Sequence, residues 1–393
     1  MTGAELLIDL TQFVHLPARS GVQRVVVELI KSWPDGVVAA DIGYATDGGY
    51  AVAPLERAVA DVANHFGDGA DHAASNLDRW TTVPVPTDEL AGRYSAYLLP
   101  DVSYRDDVLD VLRHWRSKRP RSTFAIFYDA LPLTHPHFFR GPQQGETSRY
   151  FREVSQVDNV ACISTASLDL LVGRMKRRPA ANAIVLPLGA DAIVAAAPGK
   201  PSAPATFVCV ATVEPRKNHH LVFAAFKSLW QSGVAVRLHF IGALGDWTGQ
   251  FPQEFSDALT AEPERFQWSR RASDAEIQRA FADAAAALYV SEAEGYGLPA
   301  VEALAAGCPL IVSSSLPALE SLPALGQLRL DTVSVDAVAE AVRQAAEPSF
   351  NARLRQDVVK LRLPTWRETA ARLAQWVRIT LDGTADATAK RPD

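Results

Sequence analysis

Two glutamates, Glu294 and Glu302, stand eight residues apart in the stretch SEAEGYGLPAVEALAAG, residues 291–307, with two glycines, a tyrosine and a proline between them. The apolar run AALYVS before them reads as a buried strand ending near Ser291, which leaves SEAEGYGL as the loop at its carboxyl end. Pro299 suits the first helical position, where its fixed φ fits and its missing N–H costs nothing, and Gly307 is a natural stop. Were both glutamates helical, they would point about 80° apart. With Glu294 in the loop and Glu302 in the first helical turn, both border one mouth. No Ser, Thr, Asp or Asn caps this helix at Leu298, so its first amides and its positive end suit an anion such as a diphosphate. A carboxylate beside a phosphate repels it, so the glutamates make most sense as acceptors for hydroxyls, as on a ribose and a sugar. Sugar, diphosphate and ribose together describe a nucleotide sugar. Each feature alone has a plainer reading, since the helix dipole favours a glutamate in a first turn and Gly-Tyr-Gly can be a simple turn.

A second group lies in FVCVATVEPRKNHH, where a strand ends near Thr212 and Pro215-Arg216-Lys217-Asn218 leads into a helix. Two adjacent cations at such a turn can neutralise a diphosphate leaving group as its charge grows. The plainer reading is a solvated basic turn. His135 and His137 have a proline between them and no carboxylate cluster after them, so no metal site is expected. Neither the phosphate-binding GxxxxGK[ST] nor the dinucleotide GxGxxG occurs.

The elements that must position these groups follow from pattern. Strand-like runs (ELLIDL, SAYLLP, TFAIFYDA, NVACIST, AIVLPLG, then TFVCVAT, VRLHFIG, AALYVS, PLIVSSS) alternate with helical stretches in two series, which indicates parallel sheets built from βαβ units. Between the series lies AAAPGKPSAPA, with three prolines and no periodicity. The expected organisation is an N-terminal domain over 1–190, a linker over 191–204, a C-terminal domain over 205–364, a last helix over 365–382 and a disordered tail over 383–393. Thr365 is an N-cap candidate for that helix. A length of 393 residues and 48% hydrophobic content suit two packed domains. The net charge of −6 argues against nucleic acid as the main partner. Three dispersed cysteines in apolar runs read as buried free thiols in a reducing compartment. The first residues read as a strand rather than a signal peptide, and no apolar run is long enough to span a membrane, so a cytoplasmic location is expected.

The pattern ExEGYGLPxxEAxAxGxP resembles the E-x7-E region of retaining GT-B glycosyltransferases of family four. The resemblance implies an α/β fold of two Rossmann-like domains facing a cleft, with the C-terminal helix crossing back to the N-terminal domain. It implies that Glu294 contacts the transferred sugar and Glu302 the ribose, with the backbone of Gly295, Tyr296, Gly297 and Leu298 against sugar and phosphates. Lys217 matches the family's phosphate-binding lysine, while Thr212 stands where many members have arginine. Arg216 either takes over that charge or points to solvent. SGVQR resembles the glycine-rich loop of the family's N-domain and makes Gly21 and Arg24 candidates there, although Arg24 could equally be a surface helix residue. Tyr128 and Asp129 occupy the place of a common His-Asp pair and are cleft candidates by the same likeness.

The expected reaction is a front-face displacement with Glu294, Lys217 and Asp129 as the catalytic candidates. It needs no cofactor beyond the nucleotide-sugar donor. The absence of Asp-x-Asp counts against the metal-dependent GT-A type. EPRKN and SGVQR look like bacterial mannosyltransferases of surface polysaccharide assembly, which points to GDP-mannose as donor and a saccharide or lipid-linked saccharide as acceptor. Acceptors of that kind would draw the basic runs RHWRSKRPR (113–121) and RMKRRP (174–179) to an anionic membrane surface. The alternatives are a nucleotide-sugar epimerase and a non-enzymatic nucleotide-sugar-binding protein of the same architecture.

Overall fold

A computed structural model describes residues 3–62, 83–139, 143–173, 182–193, 202–245 and 253–389. The chain divides into two compact units, one of residues 1–133, 142–189 and 365–393, the other of residues 134–141 and 190–364. Each is built on one sheet.

The strands of the first sheet are β1 (Leu6–Asp9), β2 (Ala40–Thr46), β3 (Gly49–Pro54), β4 (Ala96–Leu99), β5 (Thr123–Phe127), β6 (Asn159–Cys162) and β7 (Asn182–Val185). Their order is β3-β2-β1-β4-β5-β6-β7, parallel except for the β2–β3 pair. The second sheet has β8 (Ala205–Val210), β9 (Val236–Ile241), β10 (Phe266–Ser269), β11 (Ala286–Tyr289), β12 (Leu310–Ser313) and β13 (Gln327–Leu330) in the order β10-β9-β8-β11-β12-β13. Its pairs are all parallel. Every residue of β1, β4, β5, β6, β11 and β12 is buried. Strands buried on both faces need helices over both faces, which is why they read as continuous apolar runs.

In each sheet the chain order reverses beside the first strand, so β1 lies between β2 and β4, and β8 between β9 and β11. Connections on the two sides of such a point leave toward opposite faces and open a crevice at the strands' carboxyl ends. The second sheet packs on an aromatic cluster, with Phe223 edge-on to Phe255 and Phe266 at 4.9 and 5.0 Å.

The last helix, Trp366–Ala389, belongs to the first unit. Thr365 caps it as expected: its Oγ1 accepts from the Glu368 amide at 3.2 Å while Glu368 Oε2 accepts from the Thr365 amide at 2.9 Å. Trp376 stacks edge-on to Phe124 at 5.3 Å, and Arg378 pairs with Glu5 at 2.7 Å. The helix continues past residue 382, where a disordered tail was expected. The segment GTADATA offers three alanines and no proline to stop it.

Candidate active site

The second unit concentrates charge at its switch point. Strand β8 leads through Glu214 into a short 3-10 turn, Pro215–Lys217, and Asn218 takes a left-handed conformation (φ 57°) that turns the chain into the helix His219–Gln231. Strand β11, hydrogen-bonded beside β8, leads into the loop that carries Glu294. Two segments 77 residues apart in sequence are thereby stitched together. The Asn218 side chain donates to the Val290 carbonyl at 2.8 Å, the Glu292 amide to the Arg216 carbonyl at 2.9 Å, and Arg216 to the Ala293 carbonyl at 2.6 Å.

Lys217 Nζ lies 2.5 Å from Glu294 Oε1, and an Arg216 guanidinium nitrogen lies 3.0 Å from Oε2. Arg216 also pairs with Glu214 at 2.5 Å. The three central side chains keep only 10–13% of their surface exposed. Burial alone would raise the Glu294 carboxyl, but Lys217 and Arg216 overcome it and pull the group down to about 2. Burial draws Lys217 below its ordinary value against the pull of Glu294, and Arg216 ends above its own because Glu294 and Glu214 outweigh its burial. Glu294 is thus ionised at neutral pH. Arg216 does not point to solvent; it shares Glu294 with Lys217.

The loop and helix after Glu294 differ in two details from expectation. The helix spans Leu298–Ala305 with Pro299 as its second residue, and Gly297 (φ 105°) is the N-cap. A Cβ at Gly297 would lie 2.6 Å from Leu316 Cδ1, so the position requires glycine in both conformation and space. No side chain caps the helix. Glu302 is its fifth residue, beyond the first turn, and is buried at 4% exposure. Placing Glu302 in the first turn was therefore a misreading, caused by starting the helix one residue late. Gly295, Tyr296, Gly297 and Leu298 are all buried. At the far end the Cys308 amide bonds to the Ala303 carbonyl and the Gly307 amide to Leu304, the left-handed glycine stop expected there.

In the first unit Gly21 opens the helix Gly21–Lys31, capped by Ser20 Oγ, which accepts from the Gln23 amide at 3.2 Å. Arg24 is buried, which removes the surface-helix reading. Tyr128 is buried too, its hydroxyl donating to the Pro100 carbonyl at 2.7 Å. Asp129 Oδ1 accepts from the Leu131 amide at 2.9 Å, the bond of an Asx turn. In the basic run 113–121, Arg113 and Arg116 are held by Glu153 at 2.9 and 3.1 Å. The run 174–179 lies outside the described residues. Among the described residues no three His, Cys, Asp or Glu side chains gather to hold a metal ion. No helix among them is long and apolar enough to cross a membrane.

Three residues at these strand ends escaped the sequence reading. Tyr289, the last residue of β11, accepts from Lys217 Nζ at 2.7 Å and donates to Glu294 Oε1 at 3.0 Å. Its place at the end of the strand before the glutamate loop was the available signal. Asp9, ending β1, and Asp101, just after β4, stand at the other switch point, each hidden in an apolar run.

Comparison with known proteins matches residues 193–360 to the family described as glycosyl transferases group 1. The chain is 27% identical over 342 residues to the serotype-specific mannosyltransferase WbdA of Escherichia coli, a match covering 78% of this chain and 38% of that protein. The chain thus spans well under half the length of the curated relatives it matches. Among solved structures, HepE of Anabaena in complex with UDP and glucose superposes with a TM-score of 0.61 at 15% identity, covering 99% of this chain and 100% of that one. Sucrose-phosphate synthase of Thermosynechococcus elongatus gives a TM-score of 0.63 at 14% identity, over 97% and 100%. At these identities the structural likeness carries the fold alone.

Proposed function

We propose that this chain, a GT-B glycosyltransferase, moves a hexose from a nucleotide sugar to a saccharide or lipid-linked saccharide in surface polysaccharide assembly, with retention at the anomeric carbon. GDP-mannose is the donor we favour, on the strength of the mannosyltransferase relatives. The observation that carries the reading is the cluster of Lys217, Arg216 and Glu294 at the switch point of the second sheet. Two cations held beside a loop, next to an uncapped helix start, meet the needs of a diphosphate whose charge rises as it leaves. Glu294, kept ionised, is an acceptor for a hydroxyl of the transferred sugar. Glu302 would take the ribose.

In the proposed step the bond from the anomeric carbon to the phosphate oxygen breaks. A bond from the acceptor oxygen forms on the same face, and the acceptor's proton passes to the leaving phosphate. Lys217 and Arg216 hold the charge that develops there. The reaction is proposed to be metal-independent, so EDTA leaves its rate unchanged. A lipid-linked acceptor would bring the chain to an anionic membrane surface.

Thermal melting in the presence of GDP-, UDP- and dTDP-sugars identifies the donor, which raises the melting temperature by linkage. With that donor, Glu294→Ala removes transfer while the circular dichroism spectrum stays that of the wild type. Full activity in the folded variant would overturn the assignment.

A further inference from the structure

We propose that Tyr289 is a positioning residue of the transfer site, whose hydroxyl fixes the Glu294 carboxylate and the Lys217 ammonium at one point and keeps Glu294 in place when Lys217 turns toward the donor's diphosphate. The inference rests on the donor-site reading above.

The bonding around this hydroxyl has one consistent arrangement. Lys217 Nζ, 2.7 Å away, has no lone pair and donates, so the single phenol proton goes to Glu294 Oε1 at 3.0 Å. Lys217 Nζ also lies 2.5 Å from the same Oε1 and 4.9 Å from the centroid of the Tyr289 ring. Oε1 therefore has two donors, one charged and one neutral, while Oε2 has the Arg216 guanidinium. An arriving diphosphate competes with Glu294 for Lys217 and Arg216 alike. It does not compete for a neutral phenol, whose proton stays directed at Oε1. Burial first, and then the charge of Glu294, keep that phenol protonated across the working range.

The groups facing the hydroxyl come from three segments. Lys217 and Arg216, with Glu214 behind Arg216, come from the 3-10 turn, and Glu294 from the loop. His219 and Ser291 line a small cavity beside the ring together with Lys217, and burial holds His219 neutral with its pKa down to about 3.

Tyr289→Phe keeps the ring and its packing and removes the bridge. A hydrogen bond to a charged group lost in this way corresponds to a fall in kcat of roughly ten- to a hundredfold. The KM for donor should move less than threefold. The acid limb of the pH–rate profile should shift up, because Glu294 loses a donor to its charged form. The alkaline limb should shift down, because Lys217 loses an acceptor. Independently of turnover, the pH dependence of Lys217 acylation, followed by mass spectrometry, should give a lower lysine pKa in the variant. A Phe variant with the wild-type Lys217 titration and unmoved pH limbs overturns the inference, whether or not its kcat falls. If the wild type transfers sugar from no nucleotide sugar, the functional reading fails instead, and the Lys217 titration still decides the role of Tyr289.

Discussion

The switch points of the two sheets each bury a carboxylate among hydroxyls, and the two meet opposite electrostatics. In the second unit Glu294 receives Lys217, Arg216 and the Tyr289 hydroxyl, and its pKa falls to about 2. In the first unit Asp9 receives neutral donors, the hydroxyls of Tyr50 and Tyr97 at 2.7 and 2.8 Å and the Thr11 amide at 2.8 Å. Its pKa rises because burial outweighs them. Asp101 goes further. One oxygen accepts from the Val102 amide, the other has no hydrogen-bond partner, and burial lifts the group to about 7. Architecture alone therefore does not decide the chemistry of a switch point. The cations brought by the turn after β8 set the pKa of Glu294, whereas the hydrogen-bond donors to Asp9 are neutral. A site with paired cations is suited to an anionic ligand; a buried carboxyl whose donors are neutral is not.

The largest way to break this contrast is to remove the charge of Glu294. Glu294→Gln leaves Lys217 and Arg216 nearly buried with Glu214 as the remaining acid, so stability at pH 7 should fall by about 3–5 kcal/mol in urea unfolding. The folded pKa of Glu294 lies below its unfolded value, so its stabilisation is present above the usual carboxylate range and fades as the pH falls toward 2. The gap between wild type and variant should narrow over that same interval. Equal stability at pH 7 would mean that the ion cluster contributes nothing to the unit.

Asp101→Asn should act in the reverse sense. The folded pKa of Asp101 lies above its unfolded value, so the wild type is most stable below the usual carboxylate range and loses stability as the pH rises through about 7. The asparagine removes that loss, gaining on the wild type between pH 4 and 7 by no more than about 4 kcal/mol. Parallel stability curves for the two proteins would show that Asp101 is solvated or paired after all.

How much of this was legible in the sequence differs by region, for physical reasons. The central strands were readable because burial on both faces makes them unbroken apolar runs, as in AYLL and TFAIF. Strands β2, β3, β10 and β13 were missed: ADIGYAT and GYAVAP carry Gly, Asp and Pro, and FQWS and QLRL are short edge strands without an apolar run. Glu294 and Lys217 could be found because each follows a readable strand and sits in a patterned loop. Tyr289 could not, since a tyrosine ending a buried strand has the same signature as core. The partnership of Lys217 with Glu294 depends on β8 lying beside β11, a pairing that no local pattern encodes.

Glycines in the two loops give the smallest and sharpest form of the comparison, because sequence treats them alike and structure does not. Gly297 has φ 105° and would press a Cβ against Leu316 at 2.6 Å, whereas Gly21 has no positive φ and nothing within 4 Å of its Cβ position. Gly297→Ala should cost on the order of 1–3 kcal/mol and weaken donor binding, since the helix start after Glu294 must shift. Gly21→Ala should instead be neutral or stabilise by up to about 1 kcal/mol, because it restricts the unfolded chain at a helix's first residue without strain. Paired urea melts of the two variants measure both. If Gly21→Ala costs as much as Gly297→Ala, the loop before the first helix has a conformational demand of its own, and the two switch points are more alike than their charges suggest.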